Sequence, residues 1–273
     1  MEKVNSGQLQ ASFVKTNGEP KILSAEYMKK ELDEQIKCLK QPWTGDGVSL
    51  RSGYHIQDRD LPKIHKAACR GDVSEVKRLL SRHPERLNDR DKQKRTALHL
   101  ACAFGRLEVV TLLAEKKCQM NVGDNRNKTA LMKAVESQEE KCATILLKHG
   151  ADPHMKDFRS NTALHYAAMG HNTAIAEQLL QHQADMEATN EFDFTPLLFA
   201  VHRKSQEMVE FLLERHANIH AVDKWKRTAL MLAVKAKSSN IVRLLLQAGA
   251  DVFAQDDSGF TAEEYALSKG LKE

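Results

Sequence analysis

Threonine returns every 33 residues, at Thr96, Thr129, Thr162, Thr195, Thr228 and Thr261. The first five open near-copies of one decapeptide, "TALHLACAFG", "TALMKAVESQ", "TALHYAAMGH", "TPLLFAVHRK" and "TALMLAVKAK". An alanine follows each threonine at the sixth position of its unit, as in Ala101, Ala134, Ala167, Ala200, Ala233 and Ala266. A leucine stands at the eighteenth, as in Leu113, Leu146, Leu179, Leu212 and Leu245. An earlier copy beginning at Pro62 brings Ala67 and Leu79 into register if its loop holds one extra residue. A period of this length fixes the fold class, because a unit of about 33 residues cannot bury an apolar face alone and must stack on its neighbours.

Each unit reads as a helical hairpin. Threonine before an apolar stretch is an N-cap, and Pro196 takes the first helical position, where its missing N–H does no harm. After about two turns Gly105 breaks the first helix, and Leu107, Val110, Leu112 and Leu113 give the second an apolar stripe. Stretches such as "HGADPHMKDFRSN" carry the chain out to a turn and back. Asp91, Asp124, Asp157, Asp223 and Asp256 recur just before the turn tip, with Asn190 in the remaining copy, and both residue types can bond their own turn backbone.

The period, the T-A-L-H motif with its small pair, and "GADP" or "GADV" resemble the ankyrin repeat family over about residues 60 to 270. Within that family, "TALMKAVESQEEKCATILLKHGADP" and "SGFTAEEYALSKG" resemble the POTE-like and ankyrin repeat domain-containing protein 7 group. The resemblance implies an all-α ankyrin-repeat solenoid. Its units start near 62, 96, 129, 162, 195 and 228, and a partial capping unit starts at 261. It also implies that the imidazoles of His65, His99 and His165, at the fourth position, bridge backbone between repeats rather than bind metal.

Two departures from the family pattern matter. Tips that usually carry glycine at a positive-φ position hold Lys94, Asn127, Ser160, Asp193 and Lys226, with only Gly259 conforming. The glycine between helices is replaced in copies three, five and six, so those copies are expected to be locally weaker than copy two, which keeps Gly105. In the last unit Glu263 and Glu264 replace apolar residues, as the soluble end of a solenoid requires.

Residues 1–55 lack the period and read as a mostly disordered arm, with 56–273 as the repeat domain. Near 24–40 of the arm, Met28, Leu32, Ile36 and Leu39 make an apolar stripe on a charged segment, suited to docking or self-association.

Other chemistries find little support. No apolar run approaches 20 residues and the N-terminus lacks a secretory core, which points to the cytoplasm or nucleus and away from membrane insertion. Net charge of +4 is too mild and too spread for nucleic acid. Cys38, Cys69, Cys102, Cys118 and Cys142 form no CxxC pair, and Cys102 sits in a column of small apolar residues. His216 and His220 fall in a loop, and no phosphate loop, nucleophile elbow or zinc-protease motif is present, so no enzyme, cofactor, metal or small-molecule substrate is expected. "NKT" at 127–129 is a sequon in letters only, because Thr129 caps a helix.

Function then lies on the surface of the stack: turn tips as fingers, first helices as palm. The tip tetrapeptides, from "KQKR" at 92–95 to "DSGF" at 257–260, together carry more positive charge than the whole chain's +4. The expected protein-binding set is Lys92, Lys94 and Arg95 on one finger, Lys224, Trp225, Lys226 and Arg227 on another, and Phe192 between, with Tyr166, Met169 and Phe199 in the palm. Trp and Tyr beside Arg or Lys are frequent interface anchors, so the expected partner is an acidic, partly apolar protein segment. Tyr166 and Phe199 can equally well pad the helix stack. Asn121, eight residues after Leu113, resembles the loop asparagine that ankyrin proteins offer to asparaginyl hydroxylase.

Overall fold

The computed structural model describes residues 61–268, together with β1 (Val14–Thr16) and β2 (Glu19–Lys21). The strands pair antiparallel with Val14 opposite Lys21 and Thr16 opposite Glu19. They belong to a unit of residues 1–47, separate from the helical unit of 48–273. The pair falls within residues 1–55, read above as a mostly disordered arm, and Asn17–Gly18 between the strands is its sequence signal. The segment near 24–40 and the stripe from Met28 to Leu39 lie outside the described residues.

The helical unit is a row of hairpins. Inner and outer helices alternate as α1 (Lys63–Arg70), α2 (Val73–Arg82), α3 (Ala97–Ala103), α4 (Leu107–Glu115), α5 (Ala130–Glu136), α6 (Glu140–Lys148), α7 (Ala163–Met169), α8 (Thr173–Gln181), α9 (Pro196–His202), α10 (Gln206–Glu214), α11 (Ala229–Lys235), α12 (Ser239–Gln247) and α13 (Ala262–Ser268). Inner helices pack on inner helices and outer on outer, unit after unit. The solenoid is therefore helical throughout, with its core between successive units. The extra residue of the first unit is absorbed by a 3-10 turn at Pro84–Asn88.

The repeated columns form that core. The sixth-position alanines Ala101, Ala134, Ala167, Ala200 and Ala233 and the eighteenth-position leucines Leu113, Leu146, Leu179, Leu212 and Leu245 have no exposed surface. Cys102 is equally buried, as a small apolar residue would be. Ala167 lies on α7, between α5 and α9, where close helix approach requires a methyl group. Ala167→Leu is expected to overpack this junction by about 1–3 kcal/mol, read as a lower urea midpoint.

Threonine caps come in two forms. Where the fourth position is Met or Leu, the threonine hydroxyl accepts from its backbone: Met132 to Thr129 and Leu198 to Thr195 at 3.3 Å, and Met231 to Thr228 at 3.4 Å. Where it is histidine, the imidazole spans the units. His99 Nε2 reaches the Lys128 carbonyl at 3.0 Å and His165 Nε2 the Phe194 carbonyl at 2.8 Å. A carbonyl only accepts, so Nε2 carries the hydrogen and Nδ1 is the bare acceptor. Nδ1 of His99 takes the Thr96 N–H at 3.1 Å, and Nδ1 of His165 the Thr162 N–H at 3.2 Å. Each threonine hydroxyl lies 2.9 Å from the same nitrogen.

The first unit breaks this pattern instructively. His65 Nε2 reaches the Arg95 carbonyl at 2.8 Å, but Pro62 stands where the others have threonine and offers neither N–H nor hydroxyl. His65 Nδ1 is accordingly buried without a partner. Pro62→Thr supplies both donors and is expected to stabilise the chain by roughly 1–2 kcal/mol, measured as a rise in urea midpoint. In the last unit a glutamate does the histidine's capping work: Glu264 Oε2 accepts from the Thr261 N–H at 2.6 Å while Glu264 N–H donates to Thr261 Oγ1 at 3.4 Å.

Positive φ occurs where family glycines are expected. Lys94, Asn127, Ser160, Asp193 and Lys226 have φ of 57, 57, 60, 57 and 56° at the tips. Between helices the positions are Gly71, Gly105, Gln138, His171, Lys204 and Lys237. The glycine of copy four, Gly170, misses this column by one residue and has φ of −85°, so His171 bears the left-handed conformation at 58°. Copy four thus joins three, five and six, and amide-exchange protection at these inter-helix turns is expected to be lower in copies three to six than in copy two. Equal protection at all of them would contradict this.

Candidate functional site

The fingers are built by one device repeated. Oδ1 of Asp91, Asp124, Asp157, Asn190, Asp223 and Asp256 accepts the backbone N–H groups two and four residues later, at 2.8–3.1 Å. Successive tips are then joined by backbone: Asn125 N–H to Gln93 O, Phe158 to Arg126, Glu191 to Arg159, Lys224 to Phe192 and Asp257 to Trp225, all at 2.9–3.1 Å. Neighbouring fingers are therefore held at a fixed spacing.

The second oxygen of four turn carboxylates, Asp91, Asp157, Asp223 and Asp256, is taken by a side chain. Asp91 Oδ2 accepts from Arg95 Nε at 2.7 Å and Asp223 Oδ2 from Arg227 Nε at 2.7 Å, each with a second guanidinium contact at 2.6 Å. Arg95 is 6% exposed and Arg227 is 1% exposed. The structure thus removes two cations from the exposed tips and makes them braces of the turn. At other fingers a palm tyrosine takes the brace: Tyr166 Oη donates to Asp157 Oδ2 and Tyr265 Oη to Asp256 Oδ2, both at 2.6 Å. Tyr166, 6% exposed, is a padding and bracing residue, and its phenol is pushed well above the usual range by burial and by Asp157.

The remaining sites stay accessible. Lys92, Lys94, Lys224 and Lys226 are exposed, Lys226 Nζ lying 3.2 Å from Asp257 Oδ1. Phe192 and Trp225 are half-buried and stack across adjacent fingers, ring centroids 6.2 Å apart at 14°. The Arg227 guanidinium lies 4.5 Å from the Trp225 ring centroid, so the buried ion pair also holds the indole. In the palm Met169 and Phe199 are half-buried, and the Phe199 ring meets His165 and Phe194 edge-on, both at 6.1 Å. Asn121 is exposed, and its Oδ1 accepts the Asp152 N–H at 2.9 Å, just as Asn88 Oδ1 accepts Gln119 N–H one unit earlier.

Two palm features escape sequence reasoning. Lys133, 1% exposed, replaces the Leu, Tyr or Phe of its column; its Nζ reaches Glu136 Oε2 at 2.5 Å, and Lys128 Nζ meets Glu136 Oε1 at 2.8 Å. Lys128 also lies over the Tyr166 ring at 4.7 Å. The other feature is a group of cations around His202. For Lys133 the signal is a charged residue in a column otherwise Leu, Tyr or Phe, whereas His202 stands in a mixed column with Ala103, Glu136, Met169 and Lys235 and gives none.

Among the described residues, no group of three or more His, Cys, Asp or Glu is gathered as a metal site needs, and no helix is long and apolar enough to cross a membrane.

The family is settled by comparison. A model of ankyrin repeats in three copies matches residues 64–157 and 154–223, and one of ankyrin repeats in many copies matches 214–266. The chain belongs to the ankyrin repeat family, whose domains generally mediate protein–protein interaction. Among solved structures it is similar to the ankyrin repeat domain of Bcl-3, described as a unique member of the IκB protein family. There the TM-score is 0.72 at 28% identity, covering 77% of this chain and 96% of that one. The ankyrin repeat domain of human ASB11 shares the fold with a TM-score of 0.68 at 24% identity, covering 76% and 92% respectively.

Proposed function

We propose that the chain is a non-catalytic adaptor of the cytoplasm or nucleus that holds an acidic, partly apolar segment of another protein across the palm and fingers of repeats four to six. The observation that carries this reading is the stacked Phe192–Trp225 pair, half-buried on adjacent fingers, with Lys224 and Lys226, the chain neighbours of Trp225, exposed. Rigid aromatic anchors flanked by cations are what protein interfaces use most. Arg227 and Tyr166 brace turns of this surface, as Arg95 braces the first finger. Lys92 and Lys94 extend its charge along the row.

Pull-down with the full chain, followed by the same capture with Trp225→Ala and Phe199→Ala, tests this. Loss of the captured protein in both variants supports the reading, provided thermal melts show that they fold. Undiminished capture discards the surface. The alternative, self-association through the segment near 24–40, predicts that light scattering gives a smaller mass once residues 1–55 are removed. Within the family we place the chain in the POTE-like and ankyrin repeat domain-containing protein 7 group, on the two stretches quoted above. Asn121 is the position proposed for hydroxylation, and a peptide heavier by one oxygen atom in mass spectrometry would establish it.

A further inference from the structure

We propose that the end of the row at α12 and α13 is a second docking surface, apart from palm and fingers, whose occupant is an amphipathic helix of a partner protein, apolar on one face and basic beside it. The helix lies where the outer helix of a seventh unit would lie. This goes beyond the groove reading and does not depend on it.

The repeat itself defines what fits there. In units two to six each outer helix packs on the inner helix of its own unit and on the outer helix of the unit before. The unit that begins at Thr261 sets its inner helix α13 on α11, and α13 is the last described element. The corresponding place for an outer helix, against α12 and α13, is a notch whose apolar walls meet solvent. Leu267 is 66% exposed in the column of Cys102, Val135, Ala168, Val201 and Val234, all of which are buried. Val242 is half-buried, although Val110, Ala143, Ala176 and Val209 in its column are fully covered by the next unit. Leu246 is 45% exposed where Ala114 and Leu147 are buried and Leu180 and Leu213 half-buried.

The loop beside the notch is adapted in the same sense. Asn88, Asn121 and Glu187 share one column and each accepts a backbone N–H from the loop of the following unit. His154 and His220 complete that polar column, and its last position is Phe253, 83% exposed. Phenylalanine cannot accept a hydrogen bond; it offers an apolar ring to the same place. The opposite end of the row has no such face, since the exposed residues of α2 are Ser74, Lys77, Arg78, Ser81 and Arg82. A contiguous apolar surface at one end alone marks a site of association.

Charge selects the occupant. Glu263 stands in the column filled elsewhere by the buried Leu98, Leu131, Leu164, Leu197 and Leu230, and no cation pairs with it among the described residues. Asp251 is exposed, spends Oδ1 on the Phe253 N–H at 2.9 Å, and likewise has no cation partner there. Both call for basic side chains flanking the apolar face of the helix. Arg243, on the flank of α12 that carries Val242 and Leu246, occupies the column in which Glu177 meets Arg215, the C-cap of the next outer helix. It therefore stands at the negative end of an incoming helix dipole. A second copy of the chain is the poorer cover, because a two-fold pairing through Val242 and Leu246 sets Arg243 near its own mate.

The test titrates the isotope-labelled full chain with a synthetic amphipathic peptide of about 18 residues, leucine on one face and lysine on the other, and with its glutamate counterpart. The expected result is saturable NMR shifts at Val242, Leu246, Phe253 and Leu267 with the lysine peptide, and binding about tenfold weaker with the glutamate one. Phe253→Ser combined with Leu267→Ser removes two exposed side chains, so the melting temperature should hold while affinity for the lysine peptide falls about tenfold or more. Capture through Phe199 and Trp225 should be undiminished in that variant, so the two surfaces fail separately. Absence of saturable binding, shifts centred on the groove, or equal affinity in the double variant would overturn the notch as a helix site. Dilution-dependent shifts at Leu246 and Leu267, with the mass of a dimer in light scattering, would overturn it in favour of a second copy.

Discussion

Leu179→Ala is expected to destabilise the chain by about 2–5 kcal/mol, the usual cost of emptying a fully buried leucine site. Leu179 has no exposed surface and sits on α8, between α6 and α10, in the middle of the row. The cost should be high in that range, because its neighbours are themselves locked in register by the same column one unit away, at Leu146 and Leu212, and cannot collapse into the void. A stack of units is also stabilised chiefly at its interfaces, so the loss falls on the coupling of repeats three to five and not on one hairpin alone. Urea unfolding followed by circular dichroism should show a lower midpoint and a broadened or split transition. An unchanged midpoint would mean that this column is not the seam between units.

Acidification should unfold the array well above the pH at which surface carboxylates protonate. His99 and His165 are each held down at about 4, burial being the dominant cause in both. Burial also lowers His65 and holds His202 at about 4. Geometry agrees, because protonating Nδ1 of His99 or His165 aims a hydrogen at the Thr96 or Thr162 N–H that now donates to it. With an unfolded value near 6.5, the unfolded chain binds more protons than the folded one between about pH 6.5 and 4. Stability is therefore complete above pH 6.5 and falls as pH drops through that window. A gap of about 2.5 pH units corresponds to roughly 3 kcal/mol for each of these two histidines by the bottom of the window. Urea midpoints at pH 7.5 and 5 should differ strongly in the natural chain. His99→Gln combined with His165→Gln should be weaker at pH 7.5 but lose much less on acidification. An equal loss would show that the bridges are not the acid-sensitive element.

Much of this was legible in the sequence because identical columns do identical work. The period gave the hairpin register, the capping threonines and the buried Ala and Leu columns, and the positive-φ positions follow from where glycine is missing. What escaped was decided by where side chains fold back. Arg95 and Arg227 count as tip charges in the sequence, yet each lies four residues after a turn aspartate whose second oxygen is unclaimed by backbone, and each closes onto it. Tyr166 carries the same brace from nine residues away, a distance at which only the folded hairpin brings phenol and carboxylate together. Lys133 breaks the apolar pattern of its column and is buried because Glu136, one turn later, supplies its counter-charge. Gly170 looks like the inter-helix glycine but is one residue early by the 33-residue count, and the left-handed backbone falls on His171 instead.

The central claim is that the palm and fingers of repeats four to six are a grasping surface on a rigid row of units. Amide exchange on the full chain with and without its captured partner tests that most directly. The account predicts that partner-dependent protection falls on the tips around Phe192 and Trp225 and on the inner helices α7, α9 and α11, leaving the outer helices unchanged. Protection confined to α8, α10 and α12 would place the partner on the opposite face and contradict it.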